Sequence, residues 1–146
     1  MALKIILKAH ERMIVGGAVM TNGNAKSEFV IENTVPILRE RDIMAEHDAD
    51  TPCKRIYLVI QLMYVDEKNL LDYHNTYWKL VRDVVDAAPR TLFLIDQISG
   101  QILEGKYYQA LKLARKLIEH EQEVVDHVRK SNGNVPYRSK DYDVRP

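Results

Sequence analysis

The sequence predicts an α+β fold, in which a small N-terminal antiparallel β-sheet or barrel-like unit precedes a C-terminal bundle of about four helices. The chain has 146 residues, of which 46% are hydrophobic and 29% charged, as expected for one globular domain. Apolar residues alternate or form short runs before residue 50, and recur at helical spacing after it. Turn-forming pairs, Gly16-Gly17 and Asn22-Gly23, also fall in the first part. Together these observations indicate strands followed by helices.

The β-rich part is predicted to cover residues 1–50, with four to six short strands within residues 1–45. Leu3, Ile5 and Leu7 occupy alternate positions, which places them on one face of an extended segment. The apolar runs that follow are short and are separated by turn formers. This pattern favours several short strands over one long helix.

Two turn signals refine the prediction for these strands. Asn22-Gly23 lies between short apolar runs, and this is the strongest local signal for a β-hairpin because both turn positions need a positive φ. Pro36 has no N–H to donate to a neighbouring strand. The segment 35–38 is therefore predicted to be an edge strand or an interrupted one.

The helical part is predicted to cover residues 51–130 and to begin at Thr51-Pro52. A threonine hydroxyl can cap the first turn, and a proline is harmless at the first helical position. The run 56–65 is rich in β-branched residues and is also compatible with a strand. The Thr-Pro start and the absence of turn signals favour a helix.

Three more helices are predicted after this one. The second is capped by Asp66, is long and amphipathic, and is ended by Pro89. Its apolar face is formed by Leu70, His74, Tyr77, Val81, Val84 and Ala88. The third spans about residues 91–104 and stops at Gly105, and the fourth spans 106 to about 128. The prediction is one domain, residues 1–130, followed by a flexible tail, residues 131–146.

Composition restricts the function classes that are compatible with this chain. It has 21 Lys and Arg and 21 Asp and Glu residues, so any contact with nucleic acid must come from a local basic patch. Gln61 interrupts the longest apolar run, so no membrane span is predicted. The single cysteine cannot form an internal disulfide, and the N-terminus lacks the pattern of a signal peptide. We therefore expect a cytoplasmic protein.

Candidates for catalysis are weak. His120, Glu123 and His127 could meet a metal ion from one helix face, but a solvated helix end is the favoured interpretation. The helix start and its basic neighbours could lower the pKa of Cys53, yet no partner histidine adjoins it and a spectator thiol is favoured. Phosphate-loop, dinucleotide-loop and nucleophile-elbow signatures are absent. We expect no enzyme activity, cofactor or metal.

Seven basic residues in three clusters are the candidate contacts for RNA phosphates. The two residues of the first cluster alternate along an extended segment, so they share one face. The second cluster lies at a helix N-terminus, whose N–H groups attract anions. The third cluster has i, i+3, i+4 spacing, which places its three residues on one face of a helix. The alternative for each cluster is a solvated face with ion pairs, such as one from Glu119. The clusters are Arg39 and Arg41; Lys54 and Arg55; and Lys112, Arg115 and Lys116.

Four segments resemble the FlbT family of flagellar regulators. They are Gly16 to Gly23, the string ILRERDIM at 37–44, the segment from Thr51-Pro52 to Tyr64, and above all YYQALKLARKLIE at 107–119. They occur in order over about residues 1–125. The resemblance implies a cytoplasmic post-transcriptional regulator of flagellin that associates with the 5′ untranslated leader of flagellin mRNA. It also implies a small partner protein, FlaF, and leaves open whether the effect is repression or activation.

Two hypotheses follow from the residues and the resemblance. In the first, the seven basic residues bind the leader RNA directly, and a homo-oligomer adds avidity. In the second, the protein is an adaptor that binds FlaF or flagellin and reaches the mRNA only indirectly. The adaptor needs exposed apolar surface, for which Tyr57, Tyr64, Tyr107 or Tyr108 are candidates. The alternative for these rings is that they fill the core between helices.

Overall fold

The computed structural model describes residues 2–132, with strands first and helices after them, so the predicted α+β class is confirmed. The strands are β1 (Leu3–Leu7), β2 (Arg12–Val15), β3 (Ala18–Thr21), β4 (Ser27–Ile31) and β5 (Ile37–Arg39). The helices are α1 (Pro52–Val65), α2 (Leu70–Ala87), α3 (Leu92–Leu103) and α4 (Tyr107–Asn132). Short 3-10 turns at Glu40–Asp42 and Glu46–Asp48 connect β5 to α1.

The strands form two small antiparallel sheets. One pairs β1 with β4, and the other has the order β3-β2-β5. The five strands agree with the predicted four to six, and β5 lies at an edge directly after Pro36, as predicted. Ile5, Leu7 and Met13 form a small core between the strands. The β-rich part therefore has an apolar cluster of its own.

The hairpin turn is at Gly16-Gly17, and the hairpin expected at Asn22-Gly23 is wrong. Val15 pairs with Ala18, and both glycines have positive φ values, 56° and 87°, as a two-residue hairpin loop requires. Asn22 lies instead between β3 and β4, which belong to different sheets. Its side-chain amide donates to the carbonyl oxygens of Leu7 and Lys8, which ties the connection to the end of β1.

Helix α1 lies at the centre of the helical part, where it packs against α2 and α4. Thr51 is its N-cap, since its hydroxyl accepts a hydrogen bond from the Lys54 N–H at 3.2 Å, and Pro52 is the first helical residue. The helix interpretation of the run 56–65 is confirmed. Burial on several sides explains why this run shows no clean amphipathic period.

The predicted helix ends are confirmed, with one exception. Asp66 caps the short 3-10 turn that leads into α2, Pro89 follows the end of α2, and Gly105 has a φ of 74° after α3. Helix α4 is longer than predicted and reaches Asn132. Arg129 and Lys130 favour this extension because cations in a last turn complement the helix dipole. The predicted flexible tail begins at residue 131, but residues 131 and 132 belong to α4, and the rest of the predicted tail, residues 133–146, lies outside the described residues.

Two further findings apply to residues 2–132. None of the helices there is long and apolar enough to cross a membrane. No group of three His, Cys, Asp or Glu side chains within this range is placed to hold a metal ion. The spacing of His120, Glu123 and His127 along α4 therefore does not produce a metal site in this part of the chain.

Candidate functional site

A cleft of about 340 Å³ lies between the β5–α1 connection, the first turns of α1 and the middle of α4. It brings together three of the seven predicted basic residues, Arg41, Lys54 and Arg115, which are far apart in the sequence. The other lining residues are Asp42, Ile43, Met44, His47, Asp48, Asp50 and Tyr57. The cleft is the place where folding gathers the dispersed cations.

Arg115 joins three elements at the cleft. Its guanidinium donates to Tyr57 Oη at 2.9 Å and to Asp42 Oδ1 at 3.2 Å, and lies 5.2 Å from the centre of the Tyr57 ring. The Tyr57 hydroxyl in turn donates to the Asp42 carbonyl oxygen. Glu119, the partner suggested by helical spacing, forms no ion pair with Arg115 among the described residues. The cation is thus paired with Asp42 instead.

Burial raises the pKa of the Tyr57 hydroxyl, and the nearby Arg115 guanidinium partly offsets this effect. The hydroxyl therefore stays protonated at neutral pH. It can then donate to the Asp42 carbonyl while it accepts from Arg115. In the sequence Tyr57 was a candidate only as an exposed apolar contact of an adaptor, and no motif indicated its hydrogen bonds to Asp42 and Arg115.

Gln61 holds one wall of the cleft in place. Its Oε1 accepts from the Met44 N–H at 2.8 Å, and its Nε2 donates to the Met44 carbonyl oxygen at 3.0 Å. Gln61 is only 5% exposed, and a buried amide needs hydrogen-bond partners. The backbone of the β5–α1 connection supplies a partner to each end of this amide. In the sequence Gln61 was notable only as an interruption of an apolar run.

The N-terminus of α1 is occupied by an internal carboxylate. Glu121 from α4 accepts hydrogen bonds from the Thr51 hydroxyl at 2.6 Å and from the Cys53 N–H at 3.3 Å. Glu121 therefore takes the place that the sequence interpretation offered to a phosphate at this helix start. Lys54 still reaches the cleft, where its Nζ lies 3.3 Å from Asp50 Oδ1.

Arg39 and Arg41 do not share one face, because the extended segment ends at Arg39 and a 3-10 turn follows. Arg41 lines the cleft. Arg39 donates to the Ile6 carbonyl oxygen at 3.0 Å and lies 3.7 Å from Glu11, so it connects the two sheets. The period-two argument that grouped these arginines is therefore wrong, and Arg39 lies outside the cleft.

Arg55 also lies outside the cleft. It is half-buried on α1, and its Nη1 atom is buried without a hydrogen-bond partner among the described residues. Its neighbour Lys54 lines the cleft, but successive residues of a helix point about 100° apart. The predicted Lys54 and Arg55 cluster is therefore divided.

A basic ridge on α4, formed by Lys112, Arg115 and Lys116, begins at the cleft. All three residues are exposed. Lys112 Nζ lies 5.0 Å above the Tyr108 ring, and Lys116 makes no hydrogen bond or ion pair with other residues in 2–132. The same is true of the side chain of Arg41, at the rim of the cleft. Among the predicted contacts for RNA phosphates, Lys112, Lys116 and Arg41 therefore have the positive charges that neighbouring residues neutralise least.

The charges inside the cleft are balanced. Arg41, Lys54 and Arg115 face the carboxylates of three aspartates, Asp42, Asp48 and Asp50. The excess of positive charge at this surface comes from Lys112 and Lys116, on the neighbouring part of α4. An anionic ligand would therefore meet the ridge and the rim of the cleft, and not its floor.

The tyrosines that were considered as exposed contacts belong to the core. Tyr57 is buried, and Tyr64, Tyr107 and Tyr108 are half-buried against the main hydrophobic cluster. The core-filling alternative for these rings is confirmed. The large apolar side chains that are exposed on the helices are Leu71, Trp78, Leu92, Phe93, Leu103 and Val124.

Cys53 is expected to resist alkylation in the folded protein. The side chain is 4% exposed, and burial, followed by the charge of Glu121, raises the pKa of its thiol well above its ordinary value. The thiolate, which is the reactive form, is therefore scarce at neutral pH, contrary to the lowered pKa considered from the sequence. Iodoacetamide should label native protein on the order of 1,000-fold more slowly than protein in guanidinium. Equal labelling rates in both conditions would contradict this.

Comparison with known proteins gives one consistent result. The family model for flagellar protein FlbT matches residues 3–125. The probable flagellum biosynthesis repressor protein FlbT 1 of Bradyrhizobium diazoefficiens is 48% identical over 85% of this chain and 85% of its own. The probable FlbT repressor of Rhodopseudomonas palustris is 38% identical over 86% and 98%, and the FlbT repressor of Caulobacter vibrioides 35% over 88% and 92%. No solved structure matches the chain.

Proposed function

Because the chain belongs to the FlbT family of flagellar proteins, we propose that it represses flagellum biosynthesis by binding the 5′ untranslated leader of flagellin mRNA in the cytoplasm. The names of its relatives support repression of flagellum biosynthesis as the outcome. The resemblance in the sequence supports flagellin mRNA as the target. The surface around the cleft supports a direct contact with the phosphates.

The observation that carries this proposal is a set of exposed cations at and beside the cleft that form no ion pair among the described residues. Arg41, Lys112 and Lys116 are exposed and form no ion pair among the described residues. They lie around Arg115, whose charge is shared with Asp42. Exposed, unpaired cations are the groups that can exchange bound counterions for RNA phosphates.

The proposed contact is with the sugar-phosphate backbone. The ridge on α4 binds successive phosphates, and Arg41 binds from the rim of the cleft. Arg115 and Lys54, already paired with aspartates, hold the shape of the surface and add less affinity. With few phosphate contacts on an electroneutral chain, we expect weak binding that falls steeply as salt rises.

Binding of leader RNA by pure protein across a salt series tests this proposal. We expect the logarithm of the binding constant to fall linearly with the logarithm of salt, with a slope of about −2 for three contacts to single-stranded RNA. A leader with the same composition in scrambled order measures the contribution of sequence. No binding by the pure protein, or a flat salt profile, would contradict direct phosphate recognition.

A protein adaptor is the second candidate function, and the three aspartates in the cleft favour it. A balanced set of charges suits a protein partner better than a polyanion. In this version the cleft binds FlaF or flagellin, and the mRNA is reached through that partner. Co-purification of the partner after nuclease treatment supports the adaptor, whereas association with the mRNA that survives removal of the partner supports direct binding.

A further inference from the structure

The cleft offers a surface on which a flat ring can stack. The Arg115 guanidinium lies over the Tyr57 ring, 5.2 Å from its centre, and the Arg115 side chain is 47% exposed. Half-buried Ile43 and Met44 add apolar surface to the lining. Bases of single-stranded RNA stack on arginine guanidinium groups as well as on aromatic rings. The exposed part of this guanidinium is therefore suited to support a nucleobase.

The three aspartates in the cleft have unused hydrogen-bond acceptors. Asp42 Oδ1 accepts from Arg115 at 3.2 Å, and Asp50 Oδ1 accepts from Lys54 at 3.3 Å. Asp48 Oδ1 lies 3.5 Å from the imidazole of the residue before it. The Oδ2 atoms of all three accept no hydrogen bond from residues 2–132. Since an ionised carboxylate can only accept, these oxygens favour a ligand that presents N–H groups.

The same cleft also supplies donors. Arg41 and Lys54 line it, and the side chain of Arg41 makes no hydrogen bond or ion pair within the described range. The three cations of the lining equal the three aspartates in number. A polyanionic backbone gains little from entering a neutral cleft, whereas an uncharged ligand with donors and acceptors along its edge can use both kinds of group. Nucleobases have these properties.

The position of the cleft beside the ridge on α4 favours a base that belongs to an RNA strand. Arg115 is part of both surfaces, Lys112 lies about 4.5 Å before it along the helix axis, and Lys116 is the next residue. The cleft volume of about 340 Å³ is in the range of small-ligand sites. A strand whose phosphates lie on the ridge can therefore turn one unpaired base into the cleft.

Guanine matches the groups in the cleft better than the other RNA bases do. Its N1–H and N2 amino groups are adjacent donors, which one carboxylate can accept with its two oxygens. Its O6 and N7 atoms are acceptors, and arginine or lysine donates to them in the commonest specific contact with a base. Adenine and cytosine place a ring-nitrogen acceptor beside their amino group, and uracil has a single N–H between two carbonyls. Each of these three edges fits a carboxylate less well.

We propose that the cleft binds one unpaired guanine base of the leader RNA. The base stacks on the Arg115 guanidinium, and its O6 and N7 atoms accept from Arg41 or Lys54. Its N1–H and N2 amino groups donate to the carboxylates of Asp48 and Asp50, which are 63% and 70% exposed. This inference rests on the proposed function and gives the aspartates a role in it, because they select a base while the ridge binds the backbone.

Fluorescence anisotropy with three labelled single-stranded RNAs of about ten nucleotides tests the base preference. The first is oligouridine, the second has one guanosine at its centre, and the third has inosine at that position. Inosine keeps O6, N7 and N1–H but lacks the N2 amino group. We expect the guanosine oligomer to bind on the order of 10-fold more tightly than oligouridine, and inosine to lose most of this gain.

The double variant Asp48→Asn with Asp50→Asn tests the role of the carboxylates. Each amide keeps the shape of the side chain but replaces one acceptor by a donor, which no longer matches the two donors of guanine. The preference for guanosine should disappear, while affinity for oligouridine should rise because two negative charges are removed. A merely structural defect would lower both affinities. Asp83→Asn with Asp86→Asn, exposed on α2 outside the cleft, is the matched control and should keep the preference.

The outcomes separate this inference from the proposed function. Equal affinity for all three oligomers, equal binding of guanosine and inosine, or a preference that survives the Asp48 and Asp50 changes overturns the guanine site. If the protein still binds leader RNA with the expected salt dependence, the proposed function stands without that site. Binding of free guanosine monophosphate as tight as that of the guanosine oligomer would assign the cleft to a free nucleotide and overturn its role in RNA. If neither leader nor oligomers bind, both proposals fail.

Discussion

Replacing Gln61 by leucine is expected to lower the free energy of unfolding by about 2–4 kcal/mol, although leucine has a similar volume. The variant loses both hydrogen bonds to Met44 and leaves a half-buried N–H and carbonyl oxygen without partners. An unpaired buried backbone group costs about 1–3 kcal/mol, which is more than a typical hydrogen bond contributes. Because Met44 is in the wall of the cleft, the loss falls on the segment that positions Arg41 and Asp42.

Urea denaturation followed by circular dichroism measures this effect, and Gln101→Leu is the matched control. The Oε1 atom of Gln101 is buried without a hydrogen-bond partner among the described residues. Its replacement by leucine should therefore be neutral or slightly stabilising. Equal losses in the two variants would show that the double hydrogen bond to Met44 is not the cause.

Reversing the charges of Arg41, Lys112 and Lys116 together to glutamate is expected to reduce affinity for leader RNA by at least about 100-fold at physiological salt. The three substitutions remove exposed cations at and beside the cleft that form no ion pair among the described residues, and place anions in their positions. The salt dependence should become nearly flat, because three contacts to a single strand account for a slope of about −2. Fluorescence anisotropy with labelled RNA at several salt concentrations measures both quantities.

The control is a second triple variant with the same change in net charge, Lys8, Lys26 and Lys79 each changed to glutamate. Lys8 and Lys26 are exposed on connections between strands and Lys79 is exposed on α2, and all three lie away from the cleft. This control variant should bind the leader RNA nearly as well as the wild type does. If both triple variants lose affinity equally, the effect is one of overall charge. If neither does, direct binding fails and the adaptor function is favoured.

Several features of the fold could be predicted because their causes are local. Thr51 and Pro52 start α1, Pro89 ends α2 and Gly105 stops α3, each through the conformation of its own backbone or side chain. Helical periodicity likewise identified the apolar faces that form the main core. These signals act within a few residues, so the sequence contains them without reference to the rest of the chain.

The candidate site could be predicted only in part, because it depends on contacts between distant segments. Helical spacing placed Lys112, Arg115 and Lys116 on one exposed surface, as the structure has them. Spacing could not reveal that Asp42 would pair with Arg115, or that a 3-10 turn would separate Arg41 from Arg39. Both outcomes depend on how the β5–α1 connection packs across α1 and α4.

The sequence by itself determined the order of the elements, most of their ends and which faces are apolar. Tertiary structure decided which strands pair, as the connection at Asn22 shows, and which anion meets the start of α1, where Glu121 arrives from 70 residues after Thr51. The reason is physical. Backbone conformation and periodicity are properties of neighbouring residues, whereas strand pairing and charge pairing are settled by the whole set of contacts that the folded chain can satisfy at once.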